Sequence, residues 1–267
     1  TLRNSSAASD VYKRQILTTD KRTKEIAVSF DHEGSEITVA GVAKGSGMIH
    51  PNMATMLSFI TSDISIDETT LRQVLTHSVN KSFNQISVDG DQSTNDTVLA
   101  MTNGEAQNKK ITSLENASVF QEAMDQVCIF LAKEIAKDGE GNTRLIEASI
   151  LGAKTLQDAR KAARFIVSSN LVKTAVYGRD PNWGRIMMAV GASQIELDES
   201  KIEIFVNDIQ IVADGISTPY NHQSVVIAMN QPIIRLKVNL NIGKESSNAW
   251  GSELTEEYVV FNSAYTT

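Results

Sequence analysis

The sequence predicts an α/β (α+β) protein: mixed sheets layered with helices, with a smaller αβ domain on the C-terminal side. Three observations carry this. Strand-like and helix-like periodicities alternate from Ile16 onward. Val119, Phe120, Ala123, Met124, Val127, Cys128, Leu131 and Ile135 form a clear amphipathic helix stripe that ends near Gly139. The C-terminal part turns to short apolar runs punctuated by Gly, Asn, Asp and Pro, which suits antiparallel strands.

In chain order, Ile37 to Ala43 and Met56 to Thr61 read as strands on either side of a glycine-rich turn. Leu71 to Phe83 reads as a helix started by the Asp67-Glu68-Thr69 region. Thr97 to Thr102 is a strand, the apolar stripe a helix, Leu145 to Leu151 a strand, and Leu156 to Val167 an Ala-rich helix. A short helix follows Pro181, because proline costs little in a first helical turn. Five further strands are expected: Lys201 to Val206, Ile209 to Val212, Ser224 to Met229, Ile233 to Asn239 and Glu256 to Asn262. No repeat or low-complexity linker interrupts the order.

Composition narrows the function classes. A chain of 267 residues with 41% hydrophobic and 21% charged residues can bury a sizeable core. A formal charge of −7 with no Lys/Arg cluster argues against general nucleic-acid binding. Cys128 stands alone, so no disulfide or cysteine metal site can form within the chain, which suits a reducing cytoplasmic setting. No apolar run approaches the roughly 18–20 residues of a spanning helix. Residues 1–15, TLRNSSAASDVYKRQ, are polar and aperiodic and lack an initiator Met. They read as a non-native segment ahead of Ile16 or as a disordered tail.

Several candidate sites fail on chemistry. Lys44-Gly45-Ser46-Gly47 lacks the G-x-x-x-x-G-K-[ST] order of a phosphate loop. Asp89 to Asn95 imitates a calcium loop but has no glycine at its sixth position and has Ala100 where a bidentate Glu belongs. His32, His50, His77 and His222 show no ligand spacing, so no metal site is expected. Cys128 on the apolar stripe reads as a small core residue. Asp138 to Thr143 could be a solvated helix end or a functional carboxylate turn, and Gly178 to Arg185 a structural or a functional loop.

The stretch from Lys44 to Leu57 (KGSGMIHPNMATML) is different. A glycine turn and a Pro-Asn turn precede a small residue and a threonine, which is what a self-cleaving precursor needs. If the Ala54–Thr55 bond breaks, Thr55 gains an α-amine beside its own hydroxyl, the arrangement of an N-terminal nucleophile. Such an amine titrates near ~7.7–8.0 against ~10.4 for lysine, so far more of it is free base at neutral pH. Taken alone, without the motifs around it, Thr55 reads as a β-branched residue opening a strand.

This stretch resembles the cleavage site of the glutamate N-acetyltransferase / ornithine acetyltransferase family. Thr18-Thr19-Asp20, Asp138-Gly139-Glu140-Gly141, Gly178 to Arg185 and Tyr265-Thr266-Thr267 resemble its other motifs in the same order. The resemblance covers Ile16 to Thr267 and implies an ornithine acetyltransferase-like fold. It implies that residues 16–54 end an α chain and residues 55–267 form a β chain, the two associating as α2β2. Thr55 would take the acetyl group of N2-acetylornithine and pass it to glutamate in a ping-pong reaction of arginine biosynthesis. Thr18, Lys44, Thr55, Glu140, Asn262 and Thr267 would contact substrate, with Lys44 on a carboxylate and Glu140 on the amino group of ornithine.

The implied enzyme has no resident cofactor; acetyl-CoA would be a further donor substrate. The family's oxyanion pair, Thr-Gly, lies upstream of the TTD segment and is absent from this sequence. Losing one such donor costs roughly 10²–10³-fold, so the expectation for this chain alone is an inactive, misfolded or uncleaved product. Two rival readings stay open: an amidase or aminopeptidase sharing the Thr55 nucleophile, and a non-enzymatic remnant with Ala54–Thr55 intact.

Overall fold

The computed structural model describes residues 14–47, 56–91 and 95–264, divided between two compact units. The first comprises residues 1–84 and 91–138, the second residues 85–90 and 139–267. Each carries a mixed sheet with helices, as the sequence predicts.

The sheet of the first unit has four strands in the order β1 (Lys24–His32), β2 (Ser35–Lys44), β3 (Leu57–Ser62), β5 (Thr97–Thr102). β1, which the sequence reading leaves unassigned, forms a tight hairpin with β2. Glu33 and Gly34 turn it at φ 52° and 86°, the positive pair that matches the twist of a two-residue hairpin. β2 and β3 run antiparallel with Lys44 opposite Leu57, whereas β3 and β5 run parallel with Leu57 opposite Thr97.

Helix α1 (Glu68–Lys81) starts at Asp67, whose carboxylate accepts the Thr69 and Thr70 N–H groups. The apolar stripe becomes α2 (Ser118–Lys137), which buries Phe120, Met124, Val127, Leu131 and Ile135. Val119, expected in that stripe, is exposed. A Cβ on Gly41 would lie 2.7 Å from Val127 and 2.9 Å from Leu131, so the missing side chain lets α2 lie directly on β2.

The second unit holds seven strands in the order β4 (Ile86–Ser87), β11 (Glu245–Ser252), β6 (Leu145–Ala153), β10 (Ile233–Asn239), β7 (Glu203–Val206), β8 (Ile209–Ala213), β9 (Ile216–Ser217). β6 and β10 are parallel; β10-β7-β8-β9 form an antiparallel run. This unit carries the larger sheet, and the short strand at residues 86–87 joins it from far upstream, pairing in parallel with β11.

Its helices are α3 (Leu156–Ser168), α4 (Asn170–Gly178), α5 (Trp183–Ala192), α6 (His222–Ala228) and α7 (Glu256–Ala264). Ala159, Ala162, Ala163, Ile166 and Val167 of α3 pack in one core with Ile146, Ala148 and Ile150 of β6. Two expected strands are helices. Ser224 to Met229 belongs to α6 and its end, because the Asn221 side chain caps the Ser224 N–H at 2.9 Å and only Val225 and Met229, four apart, reach the core. Glu256 to Asn262 lies in α7, because the Thr255 hydroxyl accepts the Tyr258 N–H at 3.0 Å and two glutamates occupy the positive end of the helix dipole.

Candidate active site

In the first unit the candidate residues cluster where β2 ends. Gly45 follows Lys44 with φ +144°, a conformation side-chain-bearing residues rarely adopt. Its N–H donates to Asp20 Oδ1 at 2.7 Å, and the Thr18 N–H donates to Asp20 Oδ2 at 3.3 Å. Asp20 thus ties Thr18 to the turn after Lys44. The Thr19 and Ser46 hydroxyls share a short hydrogen bond that closes the same turn. Lys44 is buried and has no ion-pair partner among the described residues, so its charge is available to an anion.

A buried ion network holds this cluster. Lys24 Nζ lies 2.7 Å from Asp20 Oδ1 and 2.6 Å from Asp138 Oδ2, with all three side chains at most 3% exposed. Asp138 also accepts the Lys21 N–H at 3.1 Å, just beyond the end of α2. Burial pushes the Asp20 carboxyl up, but the Gly45 N–H, the Lys24 ammonium and the Thr18 N–H together pull it below the ordinary carboxylate range. Sequence reasoning placed Asp138 in a functional motif but missed its partner, Lys24, more than a hundred residues away.

Asp96 is a second residue the sequence reading leaves unassigned, one position beyond the Asp89 to Asn95 stretch. Its carboxylate accepts the Met56 N–H, and burial pushes it up to about 6 against the pull of that N–H and of the Lys44 charge. A sequence signal existed: an aspartate directly before a strand whose parallel partner begins at Leu57.

In the second unit Glu140 and Asn262 are brought together, Asn262 Nδ2 donating to Glu140 Oε2 at 3.1 Å and to the Tyr258 carbonyl at 3.1 Å. Gly141 permits the approach. It has φ +67°, and a Cβ there would sit 2.6 Å from the Tyr258 nitrogen. The Thr255 hydroxyl donates to the Gly141 carbonyl at 3.0 Å. Buried Glu253 staples the same turn by accepting from the Thr143 N–H at 3.0 Å and from Arg144 at 2.9 Å.

Gly178 to Arg185 spans the end of α4, a short turn and the start of α5. Arg179 ends α4 in the left-handed conformation, Asn182 caps α5, and Arg185 donates to the Leu171 carbonyl at 2.9 Å and to Thr174 at 3.1 Å. Lys173 on α4 is buried and donates to the Val88 carbonyl. Burial draws its ammonium down to about 8, although Asp89 opposes the shift. Cys128 lies fully inside α2, where burial raises its thiol. Ala54, Thr55 and Thr267, together with most of residues 1–15, lie outside the described residues. Among the described residues no helix is long and apolar enough to cross a membrane.

The chain matches the model of the ArgJ family over residues 2–267. It belongs to the ArgJ family. It is 45% identical over 267 residues to the Arginine biosynthesis bifunctional protein ArgJ of Oceanobacillus iheyensis, covering all of this chain and 66% of that protein. With the ArgJ protein of Dehalococcoides mccartyi it shares 46% identity over 257 residues, 96% of this chain and 64% of that protein. The chain thus spans just under two thirds of the length of these relatives. A crystal structure of Arginine biosynthesis bifunctional protein argJ from Bacillus halodurans superposes with a TM-score of 0.77 at 41% identity, over 79% of this chain and 100% of that one. The mixed α/β fold expected from the sequence is therefore that of a solved ArgJ protein.

Proposed function

We propose that this chain acts in arginine biosynthesis as an acyltransferase, moving the acetyl group of N2-acetylornithine to glutamate through Thr55. The observation that carries the reading is the 45% identity, over the whole chain, to a protein named for a bifunctional role in arginine biosynthesis. The precursor cuts itself at Ala54–Thr55, leaving residues 55–267 as a β chain that stays with its α chain, in pairs of each.

In the first half-reaction the Thr55 α-amine takes the proton of its own hydroxyl as the oxygen attacks the acetyl carbonyl. The amide C–N bond breaks, the proton passes to the departing nitrogen, and ornithine leaves an acetyl-threonine ester. In the second, the glutamate amine attacks the ester, N-acetylglutamate departs, and Thr55 regains its proton. Positioned acid–base help of this kind is worth ~10²–10⁴-fold. Lys44 supplies a buried positive charge for a carboxylate, and Glu140, oriented by Asn262, a negative one for the ornithine amino group. Thr18 and Thr267 complete the substrate contacts. No resident cofactor is required; acetyl-CoA is the second candidate donor, and the setting is cytoplasmic.

Intact-mass spectrometry of this chain joined to an upstream α-chain segment that carries the Thr-Gly pair, before and after incubation with N2-acetylornithine, tests this; the 267-residue chain by itself is expected to stay uncut. The expected result is two fragments split at Ala54/Thr55, with one acetyl group added to the Thr55 fragment and discharged by glutamate as N-acetylglutamate. Discharge to water at the same rate with or without glutamate would replace the transferase with an amidase. A single uncut mass that takes no acetyl group would refute the Thr55 reading.

A further inference from the structure

The two sheets differ in what they turn away from their helices. In the second unit, alternate residues of β6, β10, β7 and β11 point away from the core, and several are polar and satisfy one another. Glu147 pairs with Arg235 at 3.8 Å, Ser149 meets Asn248 at 2.7 Å, and Asn239 donates to Glu203 at 2.9 Å. That face suits water. In the first unit the same alternation presents apolar groups. Gly41 faces α2, so Ala40 and Val42 on either side of it face the other way. The strand register extends them into two rows across the sheet, Glu25-Val42-Phe59-Leu99 and Ala27-Ala40-Thr61-Met101. Leu99 is 46% and Met101 50% exposed, while Ala40, Val42 and Phe59 are only half-buried. An open cavity of about 550 Å³ lies over these rows, lined by Ala27, Ala40, Val42, Phe59 and Thr61. A sheet that is apolar on both faces belongs between two layers.

We propose that this face is an interaction surface for the polypeptide that precedes Ile16 in longer members of the family, which lays apolar side chains across the two rows. Two observations select that occupant. Ile16 and Leu17 line a smaller cavity together with Glu25 and Val42, so the chain enters β1 alongside the first row, and a segment ahead of Ile16 is carried to this face. The match with the Oceanobacillus iheyensis protein covers 66% of it, which leaves about a third of that protein to supply a second layer. A second copy of this chain is the other occupant of suitable chemistry, and the two differ in how cover of the face depends on protein concentration. The proposal concerns association alone, so it stands or falls separately from the role of Thr55.

Methionine oxidation by dilute hydrogen peroxide reads the face directly, because the rate of sulfoxide formation follows exposure of the thioether. Met101 reports on the second row, and Met188 on α5 of the second unit, 43% exposed, is the internal reference. Peptide mass spectrometry gives both rates in this chain alone and in this chain joined to the segment that precedes the match in the Oceanobacillus iheyensis protein. Alone, the two methionines are expected to oxidise at comparable rates. In the joined protein Met101 should slow by about tenfold or more while Met188 keeps its rate. Leu99→Glu sets a charge in the first row at an exposed position, and should return Met101 to its rate in the chain alone without moving Met188. If Leu99→Glu does not fold, Thr61→Lys, at an exposed position beside Met101, takes its place. Comparable Met101 and Met188 rates in the joined protein overturn the proposal, as does protection that survives the substitution. Protection of Met101 in the chain alone that grows with protein concentration assigns the face to a second copy and overturns it too. A joined protein that never cleaves or takes an acetyl group, yet protects Met101, fails the Thr55 reading and upholds this one.

Discussion

Replacing Lys24 with methionine removes the ammonium that bridges two buried carboxylates and leaves Asp138 only the more distant Arg22, 3.9 Å away. Lys24 Nζ sits 2.7 Å from Asp20 and 2.6 Å from Asp138, with no more than 3% exposure on any of the three side chains. Methionine fills most of the lysine stem, so the packing loss is small and the electrostatic loss dominates. Removing one partner of a buried pair costs about 3–5 kcal/mol, because the remaining charges stay desolvated. The Lys24→Met cost is expected within that range at neutral pH, with Arg22 and the Gly45, Thr18 and Lys21 N–H groups still facing the carboxylates.

The pH dependence gives the argument its sign. In the parent, the Asp20 carboxyl lies below its ordinary value, so its stabilisation is present above about pH 4 and is lost as pH falls through the native pKa. In Lys24→Met the carboxylates lose that counter-charge and repel one another, so the stabilisation gained above about pH 4 is lost. The gap between parent and variant is therefore widest at neutral pH and narrows toward about pH 4. Urea unfolding followed by far-ultraviolet circular dichroism measures the gap, and hydrogen exchange of the β1 and β2 amides locates it. A difference below about 1 kcal/mol at neutral pH, or one that does not change with pH, would refute the account of the network as a paired triad.

Other outcomes follow from the same structure. Lys173 titrates near 8 when folded and near 10.5 when unfolded, so between those values the unfolded chain binds the extra proton and stability rises with pH, by up to about 3 kcal/mol. Lys173→Met should flatten that rise in urea titrations read by Trp183 and Trp250 fluorescence, and an unchanged profile would count against it. Gly141→Ala forces a Cβ to within 2.6 Å of the Tyr258 nitrogen at a positive φ. It should loosen α7 by about 1–3 kcal/mol, seen as faster amide exchange confined to residues near 256–264. Phe120→Ala empties a fully buried site under α2 and should cost about 3–5 kcal/mol in urea unfolding. Glu140→Gln, which keeps shape but removes charge, should raise KM for N2-acetylornithine roughly tenfold while leaving the extent of Ala54–Thr55 cleavage unchanged.

Local signals were legible wherever one stretch of chain suffices to express them. The α2 stripe, the Asp67 cap and the Leu145 strand each declare themselves within a few residues. β11 did not. Glu245–Ser252 is mostly polar or small apart from Trp250, yet lies between β4 and β6, where Gly251 lets Ser87 and Val167 approach to within 2.9 Å of where a Cβ would be. Its burial is a property of its neighbours. The β-branched run at Ser224 to Met229 misled for the converse reason: strand propensity is weak, and the cap at Asn221 with two core contacts outweighed it.

The same division holds for the candidate site. The motif residues Thr18, Lys44 and Glu140 could be named from the sequence only through the family resemblance that their short motifs carry. The groups that hold them could not. Asp20 and Lys24 meet Asp138, Met56 meets Asp96, and Glu140 meets Asn262, each across 40 residues or more. Hydrogen bonds and ion pairs act over a few ångströms of space whatever the separation along the chain, so only the tertiary structure decides which buried charge finds a partner. The sequence determined where turns, caps and apolar faces fall; packing determined which polar groups those elements set against one another.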